Sequence, residues 1–215
     1  MSARAAESRP SAHWGLIATL AIAAAAALYF VKANVVRYLS YDAAAFGEEF
    51  WSRRFGLLPH LAGGATAISA WLVQLWLGLT GRVGRLHRNV GRLYLGGVVV
   101  GCLGGYYLSF TAVNPPGWTY RVGLFFLTVA WTVTTAVAYV AIRNRKVEQH
   151  RDWMIRSYTV TFAFVTFRLL DRVLEAWGIG PFEDRQRMLI WLCWAVPLLL
   201  VSAILEFSRS GRRGA

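Results

Sequence analysis

Residues 92–113 read RLYLGGVVVGCLGGYYLSFTAV, and this run decides the fold class. After Arg92 it carries no charged side chain over a length that, at about 1.5 Å per helical residue, matches the roughly 30 Å hydrocarbon core of a bilayer. Its apolar residues are continuous. A barrel strand would alternate over about ten residues, so the run reads as a membrane-spanning helix, in which every backbone polar group is satisfied internally. Five further runs of this kind lie at 14–31, 58–80, 122–142, 153–174 and 188–205. The expectation is an all-α, polytopic bundle of six spans. Composition agrees, because 56% of the 215 residues are hydrophobic and 16% charged, whereas soluble domains carry about a quarter charged residues. Disorder, collagen and coiled coil are excluded, and a soluble single domain is disfavoured.

The net charge of +12 would suggest nucleic acid in a soluble chain. Here the basic residues cluster between apolar runs, and no basic stripe with interleaved aromatics lies outside them, so the partner they imply is the lipid bilayer and not nucleic acid. With the N-terminus placed in the cytoplasm, the inner side holds 14 Lys/Arg against 4 Asp/Glu and the outer side 9 against 7. Both termini are therefore expected inside, in a cell inner membrane. The first run is too long for a secretory signal and reads as an uncleaved anchor. Cys102 and Cys193 stand alone inside apolar runs and support neither a disulfide framework nor a zinc site.

Three segments follow. Residues 1–57 form an anchor helix and an outer-face amphipathic segment, in which Asp42 caps a short helix carrying Phe46, Phe50 and Trp51. Residues 58–175 form a four-helix core, and residues 176–215 hold the sixth span and a basic tail. Asn114-Pro115-Pro116-Gly117-Trp118 reads as a tight outer turn. Within the core, His87-Arg88 with Arg92-Leu93-Tyr94 parallels His150-Arg151 with Arg156-Ser157-Tyr158, each at the start of an outward-running helix. Two hairpins of one orientation are the expectation.

The strings HLAGGATA, LHRNVGRLYLGG, HRDWMIRSY and TFAFVTFR resemble a bacterial family of predicted membrane proteins known only as a domain of unknown function. The resemblance covers about 58–175 and implies a multi-span helical bundle. It carries no activity across.

Chemistry has three candidate places. Span five has only 157–167 between Arg156 and Arg168, too few residues to cross a core, so at least one arginine lies below the interface or snorkels. An arginine inside the bundle needs a partner, and Asp171 offers Arg168 a local one. His60, Arg168 and Asp171 form a candidate outer polar pocket, suited to proton relay or anion binding. His87 and His150, if their helices are neighbours, approach opposite faces of one b-type haem, with Arg88, Arg92, Arg151 and Arg156 as candidates for its propionates. The bland alternatives are a solvated cap for His60 and head-group contacts for His87 and His150. Gly97, Gly101 and Gly105, with Gly63 and Ala67, have small-xxx-small spacing, which predicts close helix packing within the bundle. Buried Gln74 needs a partner across a helix interface. No P-loop, dinucleotide fingerprint, HExxH or nucleophile elbow occurs. The readings that remain are a membrane component that binds a small molecule or serves other membrane subunits, a one-haem redox protein, and a small solute or ion transporter using Arg156, Arg168 and His60.

Overall fold

The computed structural model describes residues 10–111 and 116–213, with side chains described at 15, 17–111 and 116–210. Among these residues all regular structure is helical. The helices are α1 (Pro10–Asn34), α2 (Ala43–Ser52), α3 (Arg54–Leu79), α4 (Arg85–Thr111), α5 (Trp118–Arg143), α6 (Val147–Thr161), α7 (Ala163–Ala176), α8 (Phe182–Leu192) and α9 (Ala195–Arg213), with a 3-10 turn at Val36–Ser40. Asn114 and Pro115 of the expected outer turn lie outside the described residues, as do Arg4 and Arg9, while the side chains of His13, Arg212 and Arg213 are not described.

Among the described residues, five helices are long and apolar enough to cross a membrane: α1, α3, α4, α5 and the continuous stretch Phe182–Ser210 formed by α8 and α9. The expected span over 153–174 is instead two helices of 15 and 14 residues that meet at Phe162. Nothing in the local sequence marks this break, which contains neither Gly nor Pro. Outward faces are apolar: Ile22 is 71% exposed, Leu103 66% and Leu199 69%. Side chains of this size left bare over much of the surface require lipid around them.

From α3 to α6 each helix runs antiparallel to the next, with Gln74 beside His87, Arg121 beside Phe110 and His150 beside Ala138. α3 and α4 make the most extensive pairing, α5 packs on both α4 and α6, α8 on α5 and α7, α9 on α6, and α1 on α3 and α7. The α3–α4 seam is built from glycine. A Cβ added at Gly63 would stand 2.3 Å from the Gly101 amide nitrogen and 2.5 Å from the Gly97 oxygen, so the two backbones touch there. The small-residue spacing therefore serves packing inside the bundle. Gln74 finds its partner across the same seam, where its Nε2 donates to the His87 carbonyl at 2.5 Å.

The next seams are polar at their centre. Tyr94 of α4 places its hydroxyl 2.6 Å from Ser157 Oγ and 2.7 Å from Thr161 Oγ1 on α6. From α5, Thr135 Oγ1 lies 2.6 Å from Ser157 Oγ, and Trp131 Nε1 donates to Thr161 Oγ1 at 2.8 Å. Tyr94 and Ser157 are wholly buried. Each such bond contributes about 0.6 kcal/mol on average in a membrane, and together they set the rotation of three helices about their axes.

Asp42 caps α2 as expected, with Oδ1 accepting from the Ala45 amide at 2.7 Å. The Ser40 hydroxyl and that amide hold the Asp42 carboxyl below the usual carboxylate range. Gly47, at φ +71°, bends α2 in its middle. The bend seats Phe46 against Tyr38 and Leu57, so the segment caps one end of the bundle. The opposite end carries the loops at 80–84 and 144–146.

Candidate functional site

Beneath this cap lies a cavity of about 240 Å³, walled by α1, α3, α5 and α7 and roofed by α2 and the 3-10 turn. Its walls are mainly apolar, with Leu57, Leu61, Ile68, Leu127 and Phe164 among them. Its floor is Trp131 and Thr161, the end of the hydroxyl cluster.

His60 and Arg168 both line this cavity. α3 begins at Arg54, so Pro59 lies inside the helix and beyond its first turn. His60 therefore sits a turn and a half into the bundle. Its Nδ1 lies 2.8 Å from the Gly101 carbonyl of α4. A carbonyl only accepts, so Nδ1 carries the proton, and in its neutral form the ring keeps an acceptor lone pair on Nε2. Glycine makes this approach possible: a Cβ at Gly104 would lie 2.6 Å from the His60 amide nitrogen. The ring also meets Phe164 edge-on, with centroids 6.2 Å apart. His60 is thus a cavity wall residue with a fixed ring and not a solvated cap.

Arg168 stands on α7 below the Phe162 break, half-buried, with its guanidinium 5.5 Å from the Phe167 ring centroid. It makes no hydrogen bond or ion pair among the described residues. The expected local pairing with Asp171 is replaced. Asp171 does not line the cavity; its Oδ1 accepts from Arg185 Nε of α8 at 3.0 Å, and both partners are buried. Arg185 Nη1 also donates to the Gly180 carbonyl at 2.9 Å. Asp171 and Arg168 are helical neighbours three residues apart on α7, and the packing of α8 on α7 decides which arginine Asp171 meets.

By helical spacing Ser157, Thr161, Arg168 and Arg172 fall near one stripe. The break at Phe162 divides it: Ser157 and Thr161 face the hydroxyl cluster, and Arg172 lies over the Tyr29 ring of α1 at 4.8 Å. Arg156 has its partner on α9, donating from Nε to Ser202 Oγ at 3.0 Å, and it covers the Trp153 ring. Asp152, one turn earlier on α6, is buried and ion-paired to Arg209 of α9.

His87 and His150 stand in the first turns of α4 and α6, close enough for the charge of one imidazole to act on the other. His150 Nδ1 lies 2.9 Å from the Ala138 carbonyl, and His87 Nδ1 is buried with no partner among the described residues. Arg88, Arg92 and Arg151 are exposed, with Arg92 reaching Asn89 at 3.5 Å, while Arg156 is engaged by Ser202. The capped cavity includes none of these residues, and Arg92 lines a separate shallow groove between α3 and α4.

Sequence reading missed the cavity's polar rim. Arg53, Glu49 and Tyr38 come from the capping segment, and Tyr120 and Trp131 from α5. Arg53 is buried and ion-paired to Glu49 four residues earlier. That spacing was visible as a helical i, i+4 pair, but nothing local says which side of α2 turns inward.

A family model described as "Predicted membrane protein (DUF2306)" matches residues 57–205, from the first turn of α3 into α9. The cavity's floor, His60 and Arg168 fall within the match, and its roof precedes it. Neither a curated protein nor a solved structure matches the chain significantly.

Proposed function

We propose that this chain, which belongs to the DUF2306 family of predicted membrane proteins, is a small-molecule-binding membrane component whose ligand site is the capped cavity. One observation carries the reading: a partly open, mostly apolar space of about 240 Å³ with a few convergent polar groups, which is the usual form of a ligand pocket. In this reading α6 and α7 together make a sixth crossing, both termini face the cytoplasm of a cell with the protein in its inner membrane, and residues 1–57 are the anchor and lid. Placement of Lys and Arg supports that orientation. The two-hairpin relation is supported by Tyr94 and Tyr158, whose rings meet edge-on at 5.3 Å between α4 and α6. Other membrane subunits would sit against the exposed apolar faces of α1 and α9.

Gly64 offers the test. It lines the cavity, and a Cβ there would meet nothing within 4 Å. Gly64→Leu is expected to fold normally while filling the space. Mass spectrometry of solvent extracts should find a small molecule bound to the purified wild-type protein and absent from the variant. Identical extracts from correctly folded wild type and variant would discard the pocket.

A second reading is one b-type haem between His87 and His150. It is favoured by the His150 Nδ1–carbonyl contact, which leaves Nε2 free in the manner of a metal-ligating imidazole, and by the unpartnered Nδ1 of His87. Expression with added haem should then yield a Soret band that disappears in His87→Ala and in His150→Ala. Colourless wild-type protein under those conditions removes this reading.

A further inference from the structure

We propose that the capped cavity takes an amphipathic anion, an apolar chain or ring ending in a carboxylate or phosphate, and that Arg168 is the residue that binds its charged head. The proposal rests on the reading of the cavity as a ligand site and adds the chemical class of the ligand. Charge accounting carries it. Four arginines border the cavity: Arg37, Arg53, Arg121 and Arg168. Three are engaged by the protein. Arg37 Nη2 donates to the Tyr38 hydroxyl at 2.5 Å, Arg121 Nη2 donates to the Phe110 carbonyl at 3.0 Å, and Arg53 is ion-paired to Glu49. Glu49 is the one carboxylate in the lining, and it is taken. The nearest acid along α7, Asp171, is committed to Arg185.

Arg168 is left with five N–H donors, and none of them has a hydrogen-bond acceptor among the described residues. A guanidinium cannot lose its charge, so burial cannot be relieved by deprotonation as it could be for a lysine. In a mainly apolar wall, where no side chain among the described residues accepts from it, an anion or water must answer it. The planar fork suits the two oxygens of a carboxylate or phosphate. Tyr120, near enough to feel the Arg168 charge, lines the same space, and its hydroxyl makes no hydrogen bond among the described residues. It can donate to the same head. Most of the remaining lining is apolar, so the body of the ligand is apolar too. A cation is excluded by the surplus of positive charge, and a neutral molecule leaves Arg168 unanswered.

The test uses full-length protein reconstituted in phosphatidylcholine nanodiscs, with 11-bromoundecanoate and 11-bromoundecanol as probes. Bromine quenches tryptophan at near contact, and Trp131 on the cavity floor is the reporter, identified by subtracting the signal of Trp131→Phe. The acid is expected to quench saturably at about ten- to a hundred-fold lower concentration than the alcohol, which is the usual worth of a hydrogen bond to a charged group. Arg168→Gln should remove that advantage, and Arg168→Lys, which keeps the charge, should retain most of it. Equal binding of acid and alcohol by the wild type, or an unchanged acid preference in Arg168→Gln, overturns the anion while leaving the pocket standing. No saturable quenching by either probe overturns the proposal, and only the Gly64→Leu extract comparison decides whether the pocket reading falls with it. Displacement of the acid by dissolved benzoate marks a ligand taken from water, and displacement by phosphatidic acid in the bilayer marks one taken from lipid. Displacement by neither counts against the proposal.

Discussion

Gly63→Leu is expected to yield no folded protein, and Gly63→Ala to lose about 3 kcal/mol, at the upper end of what overpacking costs. The atoms that an added Cβ meets at Gly63 are the Gly101 nitrogen and Cα and the Gly97 oxygen, all of them backbone. None can swing aside as a side chain would. The helices must separate, and separation breaks the His60–Gly101 contact and the Gln74–His87 hydrogen bond on the same seam. Alanine's better helix propensity returns at most about 1 kcal/mol and does not offset this. Gly64→Ala, one residue on, should stay within about 0.5 kcal/mol of wild type, because its Cβ meets nothing within 4 Å. Reversible unfolding in mixed micelles measures both. Equal stabilities for the two alanine variants would show that the α3–α4 register is wrong.

Arg185→Gln is expected to cost about 3–5 kcal/mol, the penalty for stranding a buried carboxylate, here Asp171. The pair joins α7 to α8, and Arg185 also holds the Gly180 carbonyl in the connecting turn. Asp171→Asn combined with Arg185→Gln should recover more than half of the loss, since no uncompensated charge then remains. A double-mutant cycle in the same unfolding assay reads this directly. Additive losses in the double variant would mean that the two side chains do not meet. By contrast, the surface pairs of Arg187 with Glu183 and Asp184 should be worth less than about 1 kcal/mol.

Several parts of the molecule were legible in the residues alone. The glycine spacing along 97–105 announced a close helix contact, Gln74 announced a need for a cross-helix partner, and Asp42 announced a cap. In each case the cause acts within a few residues: missing side-chain volume, an amide that lipid cannot satisfy, an aspartate before free helix N–H groups. The Arg168–Asp171 pairing failed because a carboxylate can serve any arginine within reach, and a helix from later in the chain, α8, brought Arg185 closer. The interruption at Phe162 failed because no glycine or proline encodes it. The cavity was only half visible: His60 and Arg168 were singled out, while Trp131, Tyr120, Arg53 and the roof of α2 were not.

That this chain is a helical membrane protein follows from its residues read in order. Uninterrupted apolar length and the placement of charges between such lengths are properties of neighbouring residues, and the bilayer acts on them one segment at a time. Which polar groups answer one another, and which arginine of the cavity lining keeps no partner among the described residues, is settled only when the helices pack. That outcome depends on how helices far apart in the chain come to lie side by side, and no stretch of twenty residues contains it.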